Sequence, residues 1–133
     1  MDTKVHLVAK VDKRPNFRKR EALKSRLIER RLFRCELRPA FPHHCEGGLE
    51  LHEAFYTRDD ARHSAAAKDY IVDERNCVLL CSRAHALLGR SPHARSWLMG
   101  EQVKRYGEVA MREFLDNAPV QLLLTLEGLL LGP

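Results

Sequence analysis

Leu49-Glu50-Leu51-His52-Glu53 and Asn76-Cys77-Val78-Leu79-Leu80-Cys81-Ser82-Arg83-Ala84-His85 are the two stretches on which the reading of this chain turns. The first alternates apolar and polar residues and predicts a short strand ending at His52-Glu53. In the second, Val78 to Leu80 predicts a second strand, and Ser82 to Leu88 predicts a helix that stops at Gly89. Between them runs a long polar connection whose core, Thr57-Arg58-Asp59-Asp60-Ala61-Arg62-His63, lacks periodicity and is rich in hydrogen-bonding side chains, as expected of a functional loop. Two strands, a loop and a helix make an α+β hairpin-plus-helix unit the expected centre of the fold.

Working outward, Cys35 to Gly48 carries Pro39, Pro42, Gly47 and Gly48 and reads as an irregular loop that also holds Cys35, His43, His44 and Cys45. Upstream, a Pro15-Asn16 breaker precedes Phe17 to Arg34, an expected basic amphipathic helix with Leu23, Leu27, Ile28 and Leu32 at helical spacing. Downstream, Ser91-Pro92 is an N-cap with proline at the first helical position, predicting a helix to Tyr106 that Gly107 ends, then a shorter one over Glu108 to Leu115. Trp97, Leu98, Val103, Tyr106, Phe114 and Leu115 are its expected packing face. The chain divides into an N-terminal basic arm and helix (1–34), a core (35–90) and a C-terminal helical region (91–133), all in one domain.

With 133 residues, 44% apolar and 31% charged, the sequence is that of a globular domain and excludes disordered or collagenous classes. Residues 1–34 hold 12 Lys/Arg against 4 Asp/Glu, and the remainder holds 11 against 14, so a basic arm precedes an acidic, histidine-bearing body. That asymmetry suits phosphate recognition by Arg18, Lys19, Arg20, Lys24, Arg26, Arg30 and Arg31, with Arg58 joining from the long loop; the competing reading is a plainly solvated helix face. No secretory leader is evident, and the apolar stretch Val120 to Leu131 is broken by Gln121, Thr125, Glu127 and Gly128. A cytoplasmic, non-membrane protein is expected, with reduced cysteines suited to metal binding more than to disulfides.

The order and spacing of the two motifs resemble the HNH endonuclease family (the ββα-metal nucleases), over about Cys35 to Gly89. The eight residues between Asn76 and His85 reproduce the family spacing. The resemblance implies a ββα-metal core in which His85 and a residue at the end of the first strand hold a catalytic divalent ion (Mg, Mn, Ni or Zn), and in which Asn76 ties down the loop. The commoner first-strand pair in that family is Asp-His or His-His, whereas this chain has His52-Glu53. In one register His52 is the metal ligand and Glu53 the base. In the other His52 is the base, with Glu53, Asp59 or Asp60 helping to hold the metal.

Many HNH proteins also brace the hairpin with a zinc held by two cysteine pairs, the second reading Cys-x-x-Cys-His. Here the second pair is reduced to Cys81-Ser82-Arg83-Ala84-His85, and nine residues separate Cys35 from Cys45. If Val78 to Leu80 are extended, Cys77 and Cys81 lie roughly 13 Å apart, too far to share one ion, so Cys77 reads as a small apolar core residue. A structural zinc on Cys35, Cys45 and Cys81 needs a fourth ligand, and His43 or His44 is its source, with His44 assigned.

The expected function is metal-dependent hydrolysis of DNA phosphodiester bonds, by nicking or double-strand cleavage, leaving 5′-phosphate ends as the resemblance implies. DNA is the expected partner. Two alternatives stand beside it: a zinc-stabilised nucleic-acid-binding module without catalysis, and a subunit of a phage DNA-processing machine with a packaging or terminase partner. Homodimerisation stays open.

Overall fold

The computed structural model describes residues 16–31, 33–62, 64–88, 90–119 and 122. In chain order the elements are α1 (Phe17–Arg30), β1 (Leu49–Glu53), α2 (Arg58–Ala61), α3 (Ala65–Tyr70), a 3-10 turn (Glu74–Asn76), β2 (Cys77–Cys81), α4 (Ser82–Leu87), α5 (Pro92–Tyr106) and α6 (Glu108–Asp116). The class is α+β: helices around one two-stranded antiparallel hairpin.

The hairpin pairs Leu49 with Cys81, Leu51 with Leu79 and Glu53 with Cys77. All five β2 residues are buried, because their apolar run is covered on both faces. Cys77 and Leu79 pack with Leu51 against Leu23 and Leu27 of α1, while Val78 and Leu80 pack against Ala84, Ala94, Leu98 and Met111. The outer edge of β2 is closed by side chains and one backbone contact: the N–H of Glu36 donates to the Leu79 carbonyl at 2.8 Å, the Glu36 carboxylate accepts the Leu79 N–H at 2.6 Å, and Arg31 and Gln102 donate to the Cys77 carbonyl. An edge satisfied in this way offers no template for further strand pairing.

Helix α1 ends earlier than its charge pattern predicts. Arg31 turns extended, and its guanidinium donates to the Glu36 carboxylate, the carbonyls of Cys77 and Glu74, and the Tyr106 hydroxyl. Four acceptors on folded neighbours outweigh one more helical turn. Leu32, expected on the apolar stripe, lies outside the described residues, as do residues 1–15, His63, Gly89 and most of the apolar C-terminal stretch.

The long connection is also more regular than its sequence suggests. Thr57 and Asp60 form a reciprocal capping box on α2, Ser64 caps α3, and Asp73 caps the 3-10 turn. These helices are four and six residues long, too short for hydrophobic periodicity to reveal. Strand β2 extends one residue beyond the predicted core at each end, and α5 has the predicted bounds with Ser91 as its cap and Gly107 at φ 91.

One glycine is required by a close approach. Gly47 sits at φ 78 with its Cα against α4, where a Cβ would collide with the Ser82 hydroxyl, whereas a Cβ on Gly48 meets open space. Gly47→Ala is expected to lower stability by about 2 kcal/mol and Gly48→Ala by less than about 0.5 kcal/mol, read by urea denaturation. Equal effects would contradict this packing of the loop on α4.

Candidate functional site

Side-chain alternation along β1 sorts its polar residues onto two faces. Glu50 and His52 share one, and Leu51 and Glu53 the other. On the first face α4 begins directly after β2, so His85, one turn beyond the helix cap Cys81, meets the strand. The rings of His52 and His85 lie 4.8 Å apart in a T-shaped arrangement. The Nδ1 of His85 is 2.7 Å from a Glu50 carboxylate oxygen, and the other Glu50 oxygen accepts from the Ser82 hydroxyl at 3.0 Å. Held by these two contacts, the Glu50 carboxyl sits below the ordinary carboxylate range, with the bond to His85 as the main cause.

On the opposite face, Glu53 is engaged by α1. The two terminal nitrogens of the Arg20 guanidinium donate to the two Glu53 carboxylate oxygens, and both side chains are buried. The Arg58 guanidinium stands 4.0 Å from the same carboxylate. Glu53 is therefore occupied by a bidentate ion pair, and Arg20 is not on the solvated face where its sequence neighbours placed it.

Asn76 is fully buried and uses its whole hydrogen-bonding capacity. Its Oδ1 accepts from the N–H groups of Phe55 and Tyr56, and its Nδ2 donates to the carbonyls of Tyr56 and Ile71 at 2.8 Å each. The amide thus clamps the turn after β1 onto the end of α3, which holds His52 and the α2 loop at fixed positions.

His52, Glu53 and His85 open into a cleft of about 360 Å³ whose walls carry Arg20, Arg58, Arg62, Lys68 and Arg90 together with Thr57 and Asp59. Arg62, Lys68 and Arg90 form no ion pair with another described residue; the sequence reading placed Arg62 in an expected functional loop without a phosphate role and passed over Lys68 and Arg90. Arg62 is the C-cap of α2, Lys68 lies on α3 and Arg90 in the turn between α4 and α5, so they come together only in the folded chain. On α1, by contrast, Arg20 and Arg31 are consumed by internal bonds, and Lys19 and Arg30 pair with Asp69 and Glu74. Arg18, Lys24 and Arg26 remain without a salt bridge to a described residue. The charge expected on the N-terminal helix is in part internal, and a second group of cations without a described ion-pair partner lines the cleft.

A second constellation lies at the other side of α4. Cys35, His43, Cys45 and Cys81 bring their ligand atoms within 4.8 Å of one another, a set able to hold a metal ion. The fourth member is His43, not His44, whose side chain is exposed. The reason is local: the Phe41 carbonyl lies 2.6 Å from His43 Nδ1 and can only accept, so Nδ1 carries the proton and Nε2 faces the three sulfurs at 3.4 to 3.8 Å. Burial raises the Cys81 thiol, but the N–H groups of Ala84 and Glu46 and the neighbours His43 and Cys45 outweigh it and bring the group down to about 6. Cys77 is buried in the core beside Ile71, outside this set.

No protein-family model, no curated protein and no solved structure matches this chain. No helix among the described residues is long and apolar enough to cross a membrane.

Two measurements check these placements. Arg20→Ala leaves a buried carboxylate without its partner and is expected to cost about 3 to 5 kcal/mol of stability, whereas Arg18→Ala should change it by less than about 0.5 kcal/mol. A fully stable Arg20→Ala variant would contradict the buried pair. Titrating metal-free protein with Co²⁺ should produce thiolate charge-transfer absorption that Cys81→Ser and His43→Ala weaken and His44→Ala leaves intact; the reverse order for the two histidines would contradict the cluster.

Proposed function

We propose that this chain is a divalent-metal-dependent endonuclease of the HNH type that hydrolyses phosphodiester bonds in DNA. The single observation that carries the reading is the His52–His85 pair at 4.8 Å, opening into a cleft where Arg62, Lys68 and Arg90 form no ion pair with another described residue. Two imidazoles this close suit Mn, Ni or Zn more than Mg, which favours oxygen donors. A bound divalent ion would supply Lewis-acid neutralisation of the scissile phosphate.

The chain's own residues have separable roles in this reading. His85 is the ligand, its ring fixed from outside the cleft. His52 faces it and takes the proton from the attacking water or shares the ion. Glu53 is not the base, because Arg20 occupies both of its oxygens. Asn76 keeps the loop rigid, so the water and phosphate positions are defined in advance. Arg58, Arg62, Lys68 and Arg90 hold phosphates, which recruits DNA without reading its sequence.

The Cys35, His43, Cys45 and Cys81 set reads as a structural zinc site, since three thiols and one imidazole would supply all four donors that a structural zinc takes. Because Cys81 also caps α4, zinc there would brace the helix that carries His85. The occupation of Glu53 by Arg20 favours a second reading: a DNA-binding module on the same scaffold that has no catalytic base at that position.

Supercoiled plasmid incubated with purified protein in EDTA, Mg²⁺, Mn²⁺, Ni²⁺ or Zn²⁺ separates the two. The nuclease reading predicts nicked or linear products with at least one ion and none in EDTA. His85→Ala should abolish them, and His52→Ala should slow cleavage by about 10²- to 10⁴-fold. Replacing Arg62, Lys68 and Arg90 together by Ala should reduce the dependence of log affinity on log salt by up to about three. Intact plasmid with every ion, alongside tight binding, would select the binding module.

A further inference from the structure

We infer that Glu50 is a positioning residue that fixes the tautomer and orientation of His85, so that a Glu50–His85 dyad presents Nε2 as the lone-pair nitrogen of the site. The inference rests on the nuclease reading for its purpose, and on bonds already described for its geometry. Glu50 lies two residues before His52 on the same face of β1, and one of its oxygens is 2.7 Å from His85 Nδ1. An ionised carboxylate can only accept. Nδ1 therefore carries the hydrogen, and in the neutral ring Nε2 carries the lone pair that a metal ion or a proton would take.

The second carboxylate oxygen is fixed as well. Ser82 donates its hydroxyl to it at 3.0 Å, and the Ser82 N–H donates to the Gly48 carbonyl at 3.1 Å. The start of α4 is thereby lashed to the start of β1, and Glu50 cannot rotate away from the imidazole without breaking two contacts. Glu50, His52, Ser82 and His85 act as one unit, at spacings of two along the strand and three along the helix.

Glu50 does not fill the core. Its side chain is 45% exposed, and a surface ion pair at that exposure contributes little to stability. Removing it opens no cavity. A carboxylate so held beside a ring that needs one particular nitrogen free is better explained by orientation than by stability.

The test uses the full chain, metal-free and labelled with ¹⁵N-histidine, at alkaline pH. Two-bond ¹H–¹⁵N correlations should assign His85 to the Nδ1–H tautomer in the wild type. In Glu50→Ala that tautomer should give way to a mixture rich in Nε2–H. Glu50→Gln, whose amide oxygen still accepts, should restore it in large part. Mn²⁺ affinity, followed by electron paramagnetic resonance because thiolate sites have little preference for this ion, should fall about 10- to 100-fold in Glu50→Ala with an unchanged melting temperature.

A wild-type His85 in the Nε2–H form, or a Glu50→Ala variant with unaltered tautomer and unaltered Mn²⁺ affinity, overturns the inference. Both shifts in a protein that leaves plasmid intact would uphold the dyad and refute the nuclease reading. Plasmid cleavage with neither shift would do the opposite.

Discussion

The register that pairs Leu51 with Leu79 is the constraint on which the rest of the structure depends. With a period of two, a slip of one residue would move His52 to the α1 face and Glu53 to the α4 face, exchanging the side chains that meet His85 and Arg20. Apolar burial opposes that slip on both sides of the hairpin, because Leu51 and Leu79 are needed against Leu23 and Leu27 while Val78 and Leu80 are needed against Leu98 and Met111. The geometry of the candidate site thus follows from core packing. It does not rely on bonds between the polar residues themselves, although Glu50 and Asn76 refine it.

A second physical theme is how charge is distributed once the chain folds. Taking Arg20 and Glu53 out of water is costly for each alone, and their bidentate pairing offsets that cost. The pair also joins α1 to the end of β1, so the N-terminal helix becomes part of the site's floor. Arg31 does the same at the far end of α1 through Glu36, which Arg105 also binds. With these cations turned inward, Arg62, Lys68 and Arg90, which form no ion pair with another described residue, leave the cleft walls positively charged. The metal-binding set and the histidine pair flank α4, and Cys81 and His85 are one turn apart on it, so whatever fixes one end of this helix helps to fix the other.

Much of this was legible in the sequence. The Leu49–Glu53 alternation, the apolar run before Cys81, and the Ser91-Pro92 and Gly107 punctuation located β1, β2 and α5, because strand period and cap chemistry are local properties. Of the residues that the Asn76 to His85 spacing singled out, His85 meets His52 while Asn76 is buried in the clamp after β1. Other features were not readable because they are decided by tertiary partners. Arg20 and Arg31 look like their solvated neighbours until Glu53 and Glu36 are positioned. The choice of His43 over His44 turns on a carbonyl at Phe41. Glu50 could have been found from its place two residues before His52 on a half-buried strand, but its partner at His85 is visible only when α4 is docked. Arg62, Lys68 and Arg90 carry no motif at all.

The central claim is that His52 and His85 form one cation-binding centre at the floor of the cationic cleft. Its most direct test is the pattern of NMR line broadening when substoichiometric Mn²⁺ is added to the isotopically labelled protein. The account predicts that signals of His52 and His85 broaden first, followed by those of Arg58 and Asp59 on the cleft wall, while residues around Trp97 and Val109 stay sharp. Broadening that spares both histidines, or that spreads evenly over exposed carboxylates, would contradict it.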